Sequence, residues 1–448
     1  MIERNPTISR GIDWSLVWIY LLLVAIGITA IFAVTYKEGD PIMQSFLGFK
    51  TDYSKQFYFF VAALVIGIFI LLTDSKFFTA TANLWYAFGI FLLLLVFPFH
   101  STVKGTESII RFGGFQFQPA EFCKICVALA LAKYLSRPDT DFTKTRSQLI
   151  AAGIVLLPAL LAIMQSETGL ALVYFSFFIV MYREGLPSTI LIIGFSLAAL
   201  VVATLLLEKN TLAIILTGVA LFFIVTMLRQ IRRKRYLIFN IILIWGFCVG
   251  VQRFGVPFVF KHVLKLYQVE RIYSTVGKDV PLEYIEAHRK EISTSAAATR
   301  KKDTDYNVMQ SKIAIGSGGF TGKGLLKGTQ TRYGFVPEQR TDFIFDTIGE
   351  GFGFIGSLLL LGIYLVLLFR IIAIAERQRS VFSRCYAYGV AAVFFFHMII
   401  NIGMAVGLAP VIGIPLPLIS YGGTALLTFT ILLFILIRLD ADRQMVLR

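Results

Sequence analysis

The chain has 448 residues, of which 57% are apolar and 15% are charged, whereas soluble domains carry about 45–50% apolar and about 25% charged residues. The mean hydropathy of +0.75 agrees with this excess. Such a composition excludes an intrinsically disordered chain, a collagen, a coiled coil and a secreted disulfide scaffold. Long apolar runs also exclude an array of soluble domains, so the sequence predicts a polytopic membrane protein.

Twelve apolar stretches are candidates for membrane-spanning helices, each of which needs about 20 mostly apolar residues. They lie near residues 14–35, 57–73, 83–99, 119–135, 149–164, 168–183, 188–207, 211–228, 236–254, 349–369, 386–406 and 423–438. Because several are short, the predicted fold is an all-α polytopic integral membrane protein with 10–12 transmembrane helices and one long extracytoplasmic loop. The first stretch lacks a cleavage-type end, so no cleavable signal peptide is expected.

Lysine and arginine are unequally divided between the two sets of alternate connections. With a cytoplasmic N-terminus, twenty lie in cytoplasmic connections and tails: Arg4, Arg10, Lys76, Lys133, Arg137, Lys144, Arg146, Arg183, Arg229, Arg232, Arg233, Lys234, Arg235, Arg370, Arg377, Arg379, Arg384, Arg438, Arg443 and Arg448. Six lie in short external connections: Lys37, Lys50, Lys55, Lys104, Arg111 and Lys209. This positive-inside bias predicts the orientation. It also explains the net charge of 42 − 27 = +15 without a nucleic-acid partner, and the cluster Arg229–Arg235 is predicted to contact anionic lipid head groups.

The connection at about 255–348 is too long and polar to be a turn, and it divides the chain into three parts. Residues 1–254 form the N-terminal transmembrane helices, about nine spans, and residues 349–448 form the C-terminal ones. Between Arg253 and Phe345 the chain carries fifteen Lys or Arg and nine Asp or Glu. The middle of this connection, Glu283 to Asp305, is predicted to be a flexible charged insertion.

Several polar residues stand where lipid disfavours them. Glu121 and Lys124 share one helix face at i and i+3, where they either neutralise each other or border a polar cavity. Glu167 lies in a polar break between two apolar runs, and His397 is expected to be a hydrogen-bonded core histidine rather than a ligand. Residues 409–424, here called the proline–glycine segment, hold three prolines and three glycines. They cannot form a regular helix and must line protein or an aqueous cavity, so a re-entrant or external loop beside the long connection is predicted.

A set of motifs follows one another in a characteristic order. They are Gln118-Pro119-Ala120-Glu121 with Lys124, Gln165–Gly169, Gln310–Gly319, Gly322-Lys323-Gly324, Pro337-Glu338 with Thr341–Phe345, Asn401–Met404, and Gly413–Pro417 with Ser420–Gly423. In this order they resemble the SEDS family (shape, elongation, division and sporulation) of polytopic peptidoglycan polymerases, and within it the elongation branch. The resemblance covers nearly the whole chain.

The chain departs from the family pattern at a few positions. They are Ala120 for Ser, Ser166-Glu167 for Pro-Asp, Arg340 for His, Gly351 for Glu, and Ser108-Ile109 for Arg-Trp. The family usually has ten spans, so an additional pair of helices is expected within about 188–254.

The resemblance implies a glycosyltransferase that polymerises lipid II, an undecaprenyl-pyrophosphoryl disaccharide-pentapeptide, during cell elongation and rod-shape maintenance. An α-linked donor and a β-linked product require inversion, for which one base takes the proton of the acceptor hydroxyl and no second carboxylate acts as nucleophile. The family's catalytic aspartate lies between the positions matched here by Arg271 and Tyr306. Counting from Arg271 favours Asp279, and counting back from Tyr306 favours Asp303 and then Asp305, so one of these three is the expected base.

The departing pyrophosphate develops negative charge, which basic side chains or a divalent cation (Mg²⁺ or Mn²⁺) can stabilise, and no organic cofactor is implied. The predicted substrate-binding residues are Arg271, Lys312, Lys323, Glu121, Lys124, Ser420 and Tyr421. The residues predicted to bind a cation or to hold the loop architecture are Glu338, Asp342 and Glu167. Salt bridges are the alternative role for Glu338 and Asp342, and simple solvation is the alternative for Lys312 and Lys323.

Two other functions fit many of the same features. A flippase or transporter of the lipid-linked precursor also needs intramembrane charges, and a non-catalytic scaffold of the cell-wall synthesis complex also needs membrane anchors. The acidic and basic external loop favours a transferase over both. The family resemblance further implies the bacterial inner membrane, a class B penicillin-binding protein as activating partner, and other proteins of the elongation complex.

Overall fold

The computed structural model describes most of the chain. The described residues are 11–36, 39, 46, 48–99, 101–103, 106–112, 115–165, 167–264, 266, 269, 273, 280–287 and 297–443. For residues 101–103, 106–107, 112, 115 and 297–305, only the backbone is described.

The described residues are predominantly helical, with one small sheet. The helices are α1 (Trp14–Thr35), α2 (Asp52–Leu72), α3 (Ser75–Phe99), α4 (Pro119–Leu135), α5 (Thr145–Met164), α6 (Thr168–Tyr174), α7 (Phe177–Arg183), α8 (Ser188–Leu206), α9 (Lys209–Thr226), α10 (Leu228–Arg233), α11 (Tyr236–Gly250), α12 (Val256–His262), α13 (Leu282–Ala287), α14 (Ala297–Ser317), α15 (Thr329–Arg332), α16 (Ile344–Arg377), α17 (Val381–Val406) and α18 (Gly423–Ala441). A π-helical turn, Val251–Gly255, joins α11 to α12.

Ten helices of the described part are long and apolar enough to cross a membrane, which agrees with the predicted class. They are α1, α2, α3, α5, α8, α9, α11 with α12, α16, α17 and α18. The two remaining predicted spans are shorter: α4 has 17 residues, and the stretch 168–183 is divided into α6 and α7.

Several helices extend beyond the apolar stretch that predicted them. The predicted span 349–369, for example, corresponds to α16, which begins at Ile344 and ends at Arg377. Its first and last turns contain Asp346 and Arg377. Polar residues at helix ends continue the helix but do not raise the hydropathy, so an apolar window places the ends too far inward. A kink at Gly353, with φ of +65°, interrupts α16, and glycine adopts such a left-handed φ at little cost.

Compact packing divides the chain into two units, residues 1–186 with 308–448, and residues 187–307. In the first unit, α4 and α18 are the most enclosed helices. Along α4 most side chains are buried, Lys124 included, and α3 and α17 pack against it. Small residues permit this contact: a Cβ on Gly89 of α3 would lie 2.9 Å from the Cβ of Cys126. α4 is therefore short and rich in Ala and Cys because it is surrounded by other helices rather than by lipid.

A three-stranded antiparallel sheet precedes α4. Its strands are β1 (Ser101–Val103), β2 (Thr106–Phe112) and β3 (Phe115–Phe117). β2 pairs with β3 in a register that places Arg111 opposite Gln116, and the hydroxyl of Thr424 in α18 donates to the carbonyl of Gln116 at 2.8 Å. The all-α prediction missed this sheet because two of the strands have three residues each, too few for an alternating pattern.

The second unit contains α8 to α13. Three aromatic side chains pack together in it, Phe260, Tyr273 and Tyr284, with ring centroids 5.8–6.0 Å apart. Glu283 lies 3.3 Å from Lys209 and also pairs with Lys261. The hydrogen bond from Lys261 lowers the pKa of the Glu283 carboxyl.

The predicted flexible insertion, Glu283–Asp305, is helical at both ends. Its start lies in α13 and its last residues lie in α14, while residues 288–296 lie outside the described part. The end that joins α14 is therefore helical, while the flexibility of the insertion stays a prediction. The prediction weighted the charges of this stretch, whereas α14 opens on alanines at 297 and 298, and alanine has the highest helix propensity.

Buried carboxylates tie together the ends of α1, α16 and α18. Asp13, immediately before α1, accepts hydrogen bonds from Arg370 Nε at 3.0 Å and from Arg377 at 2.8 Å. Arg377 Nε also donates to Asp440 at 2.8 Å, as does Gln378. Burial acts to raise the pKa of Asp13, but the hydrogen bonds from the two arginines outweigh it, so the pKa lies below its ordinary value.

We expect Arg377→Gln to lower the midpoint of thermal unfolding, because it leaves Asp13 and Asp440 short of a cation. Asp13 and Asp440 are buried, but the Arg377 side chain is 34% exposed, so the cost lies below the about 3–5 kcal/mol of breaking a fully buried pair. The remaining Arg370 and Gln378 reduce it further. The control is Arg379→Gln, an exposed residue two positions further along, for which we expect a change within about 0.5 kcal/mol. Equal midpoints for the two variants, measured by tryptophan fluorescence of the detergent-solubilised protein, would contradict the role of this network.

Candidate functional site

The proline–glycine segment joins α17 to α18 by an irregular path that buried side chains hold in place. Asn401 of α17 donates from Nδ2 to the carbonyls of Asp342 and Ile414, each at 2.8 Å. The hydroxyl of Tyr364 donates to the carbonyl of Pro417 at 2.5 Å. These bonds serve carbonyls that have no helical partner, as backbone away from water requires.

Ser420 holds this segment against the turn before α16. Its hydroxyl donates to the carbonyl of Thr341 at 2.5 Å and accepts from the backbone N–H of Leu416 at 2.8 Å. Gln56 of α2 donates to the Ser420 carbonyl at 3.3 Å and accepts from the Gly422 N–H at 3.1 Å. Ser420, predicted to bind substrate, therefore has its hydroxyl engaged with the backbone.

Tyr421 and Arg340 meet the beginning of α2. The N–H of Tyr421 donates to the carbonyl of Arg340 at 2.9 Å, and the Arg340 guanidinium pairs with Asp52. Burial, together with the charge of Asp52, raises the pKa of the Tyr421 hydroxyl to about 12. Tyr421 thus keeps its proton at neutral pH. Arg340, a departure from the family pattern, is accommodated by this ion pair.

Glu338 and Asp342 lie in the turn that leads into α16. The carbonyl of Glu338 accepts from the N–H groups of Thr341, Asp342 and Phe343 at 3.1–3.3 Å, and the φ of Glu338 is +54°. The Asp342 carbonyl binds Asn401, as described above. Both residues therefore contribute to the loop architecture, one of the roles predicted for them.

Glu121 and Lys124 form the predicted pair in the enclosed part of the first unit. Lys124 Nζ lies 2.6 Å from Glu121 Oε2 and 2.7 Å from His397 Nε2. Because an ammonium only donates, Nε2 of His397 accepts, and its Nδ1 donates to the carbonyl of Pro415 at 3.1 Å. The ammonium also lies 5.3 Å from the ring centroid of Phe429. A continuous polar chain thus links α4, α17 and the proline–glycine segment, and it confirms the pair and the hydrogen-bonded core histidine.

Glu167, immediately before α6, contacts another departure from the family pattern. The Ser108 hydroxyl of β2 donates to Glu167 Oε1 at 2.5 Å, and Gln118 Nε2 donates to the same atom at 3.1 Å. A Cβ on Gly169 would come within 2.4 Å of the Ile412 carbonyl oxygen, so α6 approaches the proline–glycine segment closely. Glu167 therefore organises the contact between the sheet, α4 and α6.

Glu350 of α16 was not predicted as a site residue, although it is the most highly coordinated carboxylate of the described part. It is fully buried and accepts five hydrogen bonds from residues 323–331. The closest donors are Lys323 Nζ at 2.7 Å and the N–H and hydroxyl of Thr331, each at 2.8 Å. A Cβ on Gly322, whose φ is +82°, would lie 2.3 Å from the Gly351 carbonyl. The glycine-rich motif of this stretch could have indicated such a close approach to α16.

The remaining predicted residues are not brought together in the described structure. Lys312 is exposed on α14, and Lys323 is paired with Glu350, an alternative that the sequence interpretation did not include. Asp303 and Asp305 lie on α14, where only the backbone is described. Arg271 and Asp279 lie outside the described residues.

The described residues do not form a site suited to the predicted divalent cation. No cluster of three or more His, Cys, Asp or Glu with metal-binding spacing occurs among them. Glu350, Glu121 and Glu167 are all occupied by hydrogen bonds within the protein. We therefore assign no step of the reaction to a metal ion.

Comparison with known proteins identifies the family to which this protein belongs. A family model described as "Cell cycle protein", which carries the names FtsW, RodA and SpoVE, matches residues 13–240 and 189–445. The chain therefore belongs to this family. The two matches overlap at 189–240, within the region where the additional pair of helices was expected.

Individual relatives are similar over nearly their full length. Peptidoglycan glycosyltransferase RodA of Treponema pallidum is 31% identical over 96% of this chain and 99% of its own. Peptidoglycan glycosyltransferase MrdB of Escherichia coli is 29% identical over 85% and 84%.

Solved structures share the fold. A chain from work on the structural coordination of polymerization and crosslinking by a peptidoglycan synthase complex superposes with a TM-score of 0.64, at 24% identity and coverage of 96% and 98%. The rod shape determining protein RodA of Thermus thermophilus gives a TM-score of 0.60, at 22% identity and coverage of 97% and 98%. At these identities the likeness extends to the fold alone.

We expect the substitutions Glu121→Gln and Lys124→Met to be strongly non-additive. Either one alone leaves an unpaired charge in a low-dielectric interior, which typically costs about 3–5 kcal/mol, whereas the double variant removes both charges. The measurement is a double-mutant cycle on thermal stability. Asp141 and Lys144 supply the control, since they have the same spacing and order but are exposed and lie 3.8 Å apart. Additive effects at 121 and 124 would show that the two charges act independently.

Proposed function

We propose that this protein is a peptidoglycan glycosyltransferase that polymerises lipid II into glycan strands during cell elongation and rod-shape maintenance. The observation that carries the proposal is the match to relatives of that name over nearly the whole of both chains. The convergence of the family's motifs at the turn before α16 and the proline–glycine segment supports it. Ser420 of one motif, for example, donates from its hydroxyl to the carbonyl of Thr341 of another at 2.5 Å.

The chemistry requires one base and a positive environment for the leaving pyrophosphate. The base, one of Asp279, Asp303 and Asp305, removes the proton of the acceptor 4-hydroxyl as its oxygen attacks the anomeric carbon of the donor. Lys312 and Arg271 supply positive charge toward the leaving group. Inversion follows because the attack and the departure occur on opposite faces of the sugar.

Transport of the lipid-linked precursor is the second candidate function. The buried chain of Glu121, Lys124 and His397 favours it, since one oxygen of Glu121 has no hydrogen-bond partner among the described residues and a transporter needs polar groups within the membrane. A transporter does not need a base outside the membrane. The acidic and basic connection between α12 and α16 therefore favours the transferase.

The decisive experiment supplies labelled lipid II to the purified protein together with a class B penicillin-binding protein. The transferase yields a ladder of glycan strands. If no ladder forms with the partner present, while labelled lipid crosses the bilayer of reconstituted vesicles, the transporter is correct. Absence of both products favours the scaffold.

We expect one of the variants Asp279→Asn, Asp303→Asn and Asp305→Asn to be nearly inactive and the other two to be active. Removal of a general base lowers the rate by about 10²–10⁴-fold, whereas loss of a surface carboxylate has little effect. The two active variants serve as controls for folding. Near-wild-type polymerisation by all three would transfer the role of base to another residue, with Asp342 the next to be tested.

We further propose that the connection between α12 and α16 faces outward from the bacterial inner membrane, on the basis of the twenty-to-six distribution of Lys and Arg. A membrane-impermeant thiol reagent should then modify Lys50→Cys in intact cells, and it should modify Arg232→Cys only after lysis. The wild-type protein, whose described cysteines are buried or half-buried, measures the background. Labelling of Arg232→Cys in intact cells would reverse the orientation.

A further inference from the structure

Two buried carboxylates lie one turn apart on α16, and their surroundings differ. Asp346 and Glu350 are both fully buried. Glu350 has the environment of an ionised group: an ammonium 2.7 Å away and four further donors. Each of its oxygens is bonded. Glu350 is thus an example of how this protein stabilises a buried, ionised carboxylate: with a cation and several hydrogen-bond donors.

Asp346 has almost none of this support. Its Oδ1 has one partner, the Ser311 hydroxyl of α14 at 2.8 Å, and its Oδ2 has no hydrogen-bond partner within the described structure. No described Lys, Arg or His lies within ion-pair distance of it. Glu350 lies one turn further along the same helix, and its negative charge repels a second one. An ionised carboxylate without donors in such a place is strongly disfavoured.

The protons of the hydrogen bonds identify the state of Asp346. The Ser311 oxygen lies 2.8 Å from Asp346 Oδ1 and 2.7 Å from the carbonyl oxygen of Ala405 in α17. A hydroxyl carries one proton and a carbonyl carries none, so Ser311 can donate to only one of these two acceptors. Two separate hydrogen bonds of this length, rather than one proton shared between two acceptors, require that Asp346 contributes a proton of its own. It then donates to Ser311, which donates to Ala405.

We propose that Asp346 is a neutral carboxylic acid in the folded protein and that its proton docks α14 against α16 and α17. Asp346 is then a positioning residue, because α14 also carries Lys312, which directly follows Ser311 and is proposed above to supply positive charge toward the leaving group. The state of the proton does not depend on the proposed transferase function. The consequence for activity does rest on that function.

Infrared spectroscopy tests the proton directly. Protein labelled with ¹³C-aspartate should show, at neutral pH, the C=O stretch of a protonated carboxylic acid shifted by the isotope, and Asp346→Asn should remove it. Glu350→Gln should leave this band in place. Absence of a protonated aspartate band in the wild-type protein would overturn the proposal. Ser311→Ala replaces Asp346→Asn if the latter variant is not produced in folded form. This substitution removes the partner of the Asp346 proton and should shift the band. An unshifted band would also contradict the proposal.

Substitutions test the docking. An amide also donates to Ser311, so Asp346→Asn should keep the polymerisation rate within about twofold of wild type, whereas Asp346→Leu and Ser311→Ala leave buried groups without partners. We expect either of these to reduce the folded-to-unfolded ratio about fivefold or more and to reduce the rate. Glu350→Gln is the contrast, because an amide cannot replace a paired carboxylate and should be damaging. A severe defect in Asp346→Asn matching that of Asp346→Leu would mean that Asp346 is ionised.

The pH dependence of thermal stability distinguishes a protonated Asp346 from a residue that only fills space, because only the former changes this dependence. In the unfolded chain an aspartate loses its proton above about pH 4, whereas Asp346 keeps its proton in the folded protein. Above that pH the native state therefore binds more protons than the unfolded state. The wild type should therefore lose thermal stability as the pH rises, and Asp346→Asn should lose less. Identical pH profiles would contradict the proposal. This measurement and the infrared spectrum stand even if lipid II is not polymerised.

Discussion

Lipid provides no hydrogen-bond partners, so the polar groups that this chain buries between its helices depend on partners within the protein. Lys124 meets the requirement with Glu121 on its own helix and His397 on α17. Glu350 meets it with a ring of donors that includes Lys323. The partners are distant in sequence and specific in geometry. These contacts therefore determine which helices become neighbours. Apolar side chains determine this poorly, because they interact with lipid about as well as with another helix.

The same requirement gives the family's motif residues a structural role. Asn401 captures two carbonyls of irregular backbone, and Ser420 connects the proline–glycine segment to the turn before α16. Their side chains act on main-chain groups, which leaves the backbone between α17 and α18 fixed without a helix. A motif that marks the active region of the family can thus act by holding the walls of that region in place.

Departures from the family pattern are accommodated by local contacts in the structure. Ser108 and Glu167, two of these departures, share a hydrogen bond of 2.5 Å. Arg340, another departure, pairs with Asp52 at the beginning of α2. A replaced residue in an enclosed polar site changes what its neighbour has to supply. For this reason Ser108, Glu167 and Arg340 are compatible with the same fold.

The sequence alone determined the class of protein and the approximate positions of the spans, since burial in a bilayer requires about 20 apolar residues whatever their neighbours are. It also indicated the Glu121–Lys124 pair, because residues at i and i+3 share a helix face. Tertiary structure decided that His397 joins this pair, that Lys323 is bound by Glu350, and that Asp346 has a single partner. These arrangements depend on residues far apart in the chain, and contacts of that kind leave no periodic or compositional pattern in one sequence.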